Sequence, residues 1–88
     1  MNHVEKTLEL VARVMRLQKM ALQGERYHIN YSGNVDALSF WKSTGDPGEN
    51  FVVNFSLIHY FDTEDIGDTL EEIEAKIKEE EDKHRDII

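Results

Sequence analysis

The four histidines of this chain are the residues best suited to metal or acid–base chemistry, but their spacing fits no metal motif. They are His3, His28, His59 and His84. None has a second ligand four residues on or in an HxH pattern, and the acidic segment 62–68 lacks the spacing of a calcium loop. No glycine-rich phosphate loop, GxSxG or HExxH motif is present. We therefore predict structural histidines, no catalytic, metal or cofactor site, and no enzyme. A small enzyme or ligand carrier is the alternative, because acid–base pairs need no local motif.

Length and composition indicate one domain, residues 1–88. The absence of cysteine excludes disulfides, thiolate zinc sites and a cysteine nucleophile, and it favours a cytoplasmic location. No apolar run approaches the roughly 20 residues of a membrane helix, and the first residues lack the pattern of a signal peptide. We therefore expect a cytoplasmic protein that does not enter a membrane.

The net charge of −8 is carried by one part of the chain. Residues 1–61 contain six acidic and six basic residues, whereas residues 62–88 contain twelve acidic and four basic ones. Because phosphate binding requires clustered Lys and Arg, this distribution argues against direct nucleic-acid binding and against an anionic membrane surface. A row of carboxylates can instead imitate a phosphate backbone and bind a basic, nucleic-acid-binding protein surface. The alternative is a solvated helix face with the i,i+4 pairs Glu72–Lys76, Glu74–Lys78 and Glu79–Lys83.

Residues 4–23 have the apolar periodicity of an amphipathic helix that stops at Gly24. Its first apolar stripe consists of Val4, Leu8, Val11, Met15 and Leu22, and the second of Leu10, Val14, Leu17 and Ala21. Together the stripes cover about half of the helix circumference, more than is needed to cover a small sheet. The surplus suggests a homodimer, since twofold dimers are the commonest oligomers, and we place its interface on the second stripe. The alternative is a helix wedged between the sheet and a second helix.

Three segments alternate between apolar and polar residues and are predicted as strands: 26–32, 37–43 and about 50–60. In the second segment, Leu38 and Phe40 are expected inward and Trp41 outward. In the third, Phe51, Val53, Phe55 and Leu57 are expected on the apolar face, and Val52, Asn54, Ser56 and Ile58 on the other. Turn residues separate the segments, which predicts an antiparallel meander.

A last helix is expected to begin between residues 62 and 68. Its candidate N-caps are Asp62, Thr63 and Asp68. Gly67 disfavours helix, so the regular helix is expected to start after it. The apolar stripe consists of Ile66, Leu70, Ile73 and Ile77. Glu80 and His84 occupy the next positions of this stripe, so we expect the end of the helix to project into water or to meet a partner.

The resulting architecture is α+β: a helix, a three-stranded antiparallel meander and a helix (αβββα), with both helices on one face of the sheet. Double-stranded RNA-binding domains have the same order of elements. They place basic residues at the start of the last helix, where this chain has acidic ones. We therefore reject RNA binding.

The opposite face of the sheet is expected to be available to a partner protein. In the expected register Trp41 lies on this face beside Val52, and tryptophan is enriched at binding hot spots. A shift of the register by one residue would turn Trp41 inward. We predict a protein-binding surface made of two groups. The first is Trp41, Val52, Asn54 and Ile58, and the second is Glu71, Glu72, Glu79, Glu80 and Asp82.

The segment 27–33 (YHINYSG) resembles the first strand and turn of one type of anti-CRISPR inhibitor, over seven of the 88 residues. In length, acidity, lack of cysteine and order of elements, the chain also resembles small accessory proteins of bacteriophages and mobile elements. This resemblance implies a phage-type inhibitor or adaptor that binds a basic protein surface. A structural homo-oligomer with no other partner is the alternative function.

Overall fold

The computed structural model describes residues 3–46, 50–63 and 66–87, and it confirms the predicted αβββα order. The elements are α1 (His3–Met20), β1 (Glu25–Ser32), β2 (Ala37–Thr44), β3 (Val52–Tyr60) and α2 (Leu70–Ile87). The strands form one antiparallel sheet in the order β1-β2-β3. Neither described helix is both long and apolar enough to cross a membrane.

The first helix ends before Gly24, as predicted, although three residues earlier than the apolar pattern suggests. The Glu25 carboxylate accepts the backbone N–H of Leu22 (2.8 Å), which holds the chain in a turn after Met20. Gly24 adopts a φ of 89°, a conformation that other residues rarely take. Its carbonyl accepts the N–H of Gly45 (3.0 Å), so this turn also anchors the end of β2.

The register of β2 is the one that the alternation predicts. Leu38 and Phe40 are fully buried, while Trp41 lies on the other face. Trp41 is directly opposite His28 on β1 and Ser56 on β3. Directly opposed residues share a face of a sheet, so these three side chains lie on the outer face.

One irregularity in β3 overturns part of the strand prediction. Lys42 is opposite Phe55 but Ser43 is opposite Val53, so β3 carries one extra residue at this point. Such a bulge reverses the inward and outward alternation beyond it. Phe55 packs on the core as predicted. Phe51 and Val53 were expected beside it but are exposed, Val53 to 60 %.

The same bulge corrects the predicted position of Val52. This residue pairs with Thr44, on the face opposite to that of Trp41, and is exposed there. The side chain that does lie across from Trp41 on β3 is Ser56. Val52 is therefore not a neighbour of the tryptophan on the outer face, contrary to the expectation from simple alternation.

Both helices pack on the inner face of the sheet, around one core. Its buried members are Leu10, Val14, Leu17, Tyr27, Leu38, Phe40, Ile73 and Ile77. Ala21 packs against this core and is partly buried. The predicted dimer interface, Leu10, Val14, Leu17 and Ala21, is therefore wrong. Burial of apolar surface is the main driving force of folding, and this stripe is the one that covers the sheet.

The second helix begins with a capping box at Thr69. The Thr69 hydroxyl accepts the N–H of Glu72 (3.0 Å), and the Glu72 carboxylate accepts the N–H of Thr69 (3.2 Å). Asp68 is not a cap, because it pairs with the free edge of β3: its N–H donates to the Ile58 carbonyl (2.7 Å) and its carboxylate accepts the Ile58 N–H (2.9 Å).

The other features predicted for the start of α2 also differ, because the chain first pairs with the edge of β3. Gly67 bridges to His59 with a φ of 83°, so the chain is extended along β3 before the helix begins. The helix does start after Gly67, as predicted, but Asp62 and Thr63 lie too early to cap it. Ile66 also precedes the helix and is exposed rather than part of its stripe.

The capping box gives a direct test of where α2 begins. Thr69→Ala removes the hydroxyl acceptor and should lower the free energy of unfolding by about 1 kcal/mol. Thr63→Ala is the matched control, since this exposed threonine lies outside the box and should leave stability unchanged. Urea denaturation followed by circular dichroism measures both, and an equal loss in the two variants would contradict the cap.

Candidate functional site

One face of the last turns of α2 is buried against the sheet, whereas we expected the end of this helix to project into water or to meet a partner. Glu80 is 1 % exposed and His84 is 5 % exposed. They lie one turn apart and face the sheet, where Tyr27 and Glu25 of β1 and Lys42 of β2 meet them. We call these five residues the polar cluster.

The hydroxyl of Tyr27 is at the centre of the polar cluster. It donates a hydrogen bond to Glu80 Oε1 (2.9 Å), and His84 Nε2 lies 3.0 Å from the same hydroxyl. The ammonium of Lys42 lies 3.1 Å from Glu80 Oε1 and 3.0 Å from Glu25 Oε2. One lysine on β2 thus bridges a carboxylate on β1 and another on α2.

The remaining carboxylate oxygens also have partners. Glu80 Oε2 lies 3.0 Å from the ammonium of Lys83, which lies three residues further along α2. Glu25 Oε1 accepts the Leu22 N–H and lies 3.3 Å from His84 Nε2. The two carboxylates thus face two lysines, and their charges balance.

Charge pairing decides the protonation of the polar cluster. Burial opposes ionisation of Glu80, but hydrogen bonds from Lys83, Tyr27 and Lys42 outweigh it and lower the net pKa of this carboxyl. The pKa of Glu25 is lowered for similar reasons: burial raises it, and the Leu22 N–H and Lys42 more than compensate.

The pKa values of Tyr27 and Lys42, which donate hydrogen bonds to these carboxylates, are raised. Burial, and then the hydrogen bond to Glu80, raise the pKa of the Tyr27 hydroxyl. Burial alone would lower the pKa of Lys42, but its hydrogen bonds to Glu25 and Glu80 raise it overall. Over the physiological range these shifts favour ionised carboxylates, a charged lysine and a neutral tyrosine.

This arrangement suits a structural role better than a catalytic one. Within the described residues, each fully buried side-chain nitrogen and oxygen has a hydrogen-bond partner. A general acid or base must reach a substrate, whereas Glu80, Tyr27 and His84 are all buried against the chain's own atoms. The polar cluster therefore fastens α2 to β1 and β2. Glu80 is not available to a partner, which corrects its predicted place in the binding surface.

A signal of this burial is present in the sequence. Glu80 and His84 continue the i+3 and i+4 spacing of Ile73 and Ile77 on one face of α2. Lys42 also occupies an inward position, two residues after Phe40. Glu80 and Lys42 thus occupy core positions on two elements and have opposite charges, which indicates a buried ion pair rather than a helix end in water.

The other acidic residues of α2 are paired in ways that the i,i+4 prediction missed. Glu74 lies 2.8 Å from Lys6 and 3.1 Å from Arg13 of α1, and Glu81 lies 2.7 Å from Arg13. On α2 itself the pairs are Lys76–Glu79, Lys78–Asp82, Lys83–Glu80 and Arg85–Asp82. The expected pairs 72–76, 74–78 and 79–83 are thus replaced. Part of the acidic row joins the two helices.

The outer face of the sheet carries a second group of side chains, and both helices pack on the opposite face. The ring of His28 stacks on Trp41, with centroids 4.8 Å apart and planes 9° apart. His28 Nε2 lies 3.1 Å from Ser43 Oγ, which fixes the imidazole against the tryptophan. Ile58 and Tyr60 are partly exposed on the same face. We call His28, Trp41, Ile58 and Tyr60 the outer-face patch.

The two predicted groups of binding residues lie on opposite sides of the molecule. Trp41 and Ile58 belong to the outer-face patch, and Asn54 is exposed at the bulge nearby. Glu71 and Glu79 are exposed on α2, which covers the inner face. Glu72 belongs to the capping box and Asp82 is paired with Lys78 and Arg85. One flat partner surface cannot contact both groups.

Within the described residues, no three His, Asp or Glu side chains are arranged to hold a metal ion. Comparison with protein-family models, curated proteins and solved structures finds no match for this chain.

Removing the charge of Glu80 should destabilise the fold. In Glu80→Gln, Lys42 and Lys83 lose a buried counter-ion, and we expect a loss of about 1–3 kcal/mol in the free energy of unfolding. Glu79→Gln is the matched control, because Glu79 is exposed on the same helix and its change should have little effect. Urea denaturation of both variants measures the difference, and equal stabilities would contradict a fastening role.

Acid should destabilise the protein through the same carboxylates. The folded-state pKa values of Glu25 and Glu80 are lowered, so their contribution is present above the unfolded-state pKa of about 4.3. It is lost as the pH falls through the folded-state values, because the unfolded chain then binds more protons. Unfolding free energies measured between pH 7 and pH 3 should fall below about pH 4. The fall should be shallower in Glu80→Gln; identical slopes would exclude Glu80 as a contributor.

Proposed function

We propose that this protein is a non-enzymatic protein-interaction module that binds its partner through the outer-face patch. The observation that supports this is the stack of His28 on Trp41 on the face of the sheet away from both helices. A tryptophan held in place by a neighbouring ring loses little conformational entropy on binding, and tryptophan is among the residues that contribute most at interfaces.

The surroundings of Trp41 fit a contact surface. Ile58 and Tyr60 add apolar area on the same face, while Ser39 and Ser56 lie between them on neighbouring strands. An apolar centre with hydroxyl groups around it has the composition of a protein interface, in which polar groups at the edge supply directional hydrogen bonds.

The acidic net charge of the protein favours a partner protein with a basic surface. The chain carries a net charge of −8, and exposed carboxylates such as Glu71 and Glu79 remain on the side of α2. Charge at this distance from the patch acts on the encounter: it attracts a basic protein and speeds association, more strongly at low salt. An inhibitor or adaptor of the phage type, docking on a basic nucleic-acid-binding surface, is the form of this function that the charge fits best.

Trp41→Ala tests the proposed patch. A partner captured from bacterial lysate on the immobilised protein should be lost with this variant. In kinetic measurements on the purified pair, the dissociation constant should rise by roughly 30-fold, equivalent to about 2 kcal/mol, mainly through faster dissociation. The circular dichroism spectrum should be unchanged, because Trp41 is outside the core. Unaltered affinity would overturn the proposal.

A charge-removal variant of α2 distinguishes direct contact from long-range electrostatic attraction. A variant carrying Glu71→Gln, Glu79→Gln and Asp82→Asn removes charge from α2 and leaves the patch intact. It should slow association and weaken the dependence on salt while leaving dissociation unchanged. Faster dissociation in this variant, with Trp41→Ala silent, would place the contact on α2 instead.

A further inference from the structure

The first helix has a second apolar stripe that the core does not use. Val4, Leu8, Val11 and Met15 follow one another at helical spacing on the side of α1 turned away from Leu10. Leu8 is 63 % exposed and Met15 is 64 % exposed. We call these four residues the lateral face. Single exposed apolar residues are common, but a continuous row of this length marks an interaction surface.

The lateral face continues into a groove at one end. Val4, Leu8 and Val11 form one wall, with Tyr31 and Phe61 opposite them, and the groove has a volume of about 520 Å³. At the other end Met15 lines a second groove of about 560 Å³ that reaches Ile29 of β1 and Trp41. The apolar surface is therefore longer than the stripe alone.

The neighbouring edge of β1 is partly closed to another strand. Gln18 Oε1 accepts the Tyr27 N–H (2.6 Å), and Gln18 Nε2 donates to the Glu25 carbonyl (3.3 Å). These are the backbone groups that an added strand would need at this end of β1. This favours an occupant of the lateral face that binds by its side chains, as a helix does, over one that extends the sheet.

The charges along α1 indicate what kind of helix fits. Glu5 and Glu9 lie in its first half, whereas Arg16 and Lys19 lie in its second half. The other two cations of α1, Lys6 and Arg13, reach α2, where they pair with Glu74 and Glu81, and Lys6 also pairs with Glu9. Two copies of this helix placed antiparallel bring the acidic half of each beside the basic half of the other. A parallel arrangement places like charges together, which is unfavourable.

We propose that the lateral face binds the lateral face of a second copy of this chain, with the two α1 helices antiparallel about a twofold axis. The midpoint of the stripe lies between Leu8 and Val11, so each of these residues lies close to the axis. Val4 of one copy then contacts Met15 of the other. His28 and Trp41 of the outer-face patch border the Met15 end of this surface, whereas Ile58 and Tyr60 lie on β3, away from it.

Cysteine crosslinking tests this geometry in a chain that has no native cysteine. In the antiparallel pair the two copies of residue 11 are about 5 Å apart along the helix axis, and the two copies of residue 4 are about 16 Å apart. A disulfide needs Cα atoms within roughly 7 Å. Under mild oxidation Val11→Cys should therefore form covalent dimers, whereas Val4→Cys should not.

The outcomes are separable. Crosslinking at both positions would indicate parallel helices and overturn the proposed arrangement. Crosslinking at neither position, together with a monomer mass in light scattering at all concentrations, would overturn the dimer. As a second variant, Leu8→Glu should raise the dimer dissociation constant at least tenfold in sedimentation equilibrium; an unchanged constant would contradict the interface. Because Leu8 is outside the outer-face patch, these results do not depend on the partner captured through Trp41.

Discussion

The carboxylate of Glu80 has three donors, Tyr27, Lys42 and Lys83, that come from two strands and its own helix. A charge buried without partners costs several kcal/mol, so Glu80 is stable only where all three reach it. The apolar contacts of α2 impose a weaker restriction, because the hydrophobic effect is non-directional. The polar cluster therefore fixes the position and rotation of α2 over the sheet.

The same contacts divide the acidic residues of α2 into two groups. With Glu80 inside, and with Glu74 and Glu81 paired to Lys6 and Arg13 of α1, the acidic helix is joined to the rest of the molecule by opposite charges. The two groups of carboxylates have different roles. One set orders the fold, and the other, on the solvent side of α2, gives the long-range field that favours a basic partner.

Sequence patterns predicted the elements, their order and the inward positions of Phe40 and Ile73, because hydrophobic periodicity reflects burial directly. They failed where another interaction overrides periodicity. The extra residue in β3 leaves no trace in a simple alternation, so Val52 and Val53 were placed on the wrong faces. Glu80 is polar and was expected in water or against a partner, since the hydropathy of a single residue contains no information about a counter-ion on a distant strand. The outer position of Trp41 followed correctly from the register of β2.

The polar cluster has a consequence for the order in which the chain folds. The paired strands are neighbours in the sequence, whereas Tyr27 and Glu80 are 53 residues apart, and Lys6 and Glu74 are 68 apart. Contacts between distant residues form late, because a long loop must be closed before any of them stabilises the chain. The hairpins can therefore form before α2 docks on the sheet. Until α2 docks, Phe40 is incompletely covered and Lys42 lacks its carboxylate on α2, and apolar surface exposed at this stage favours aggregation.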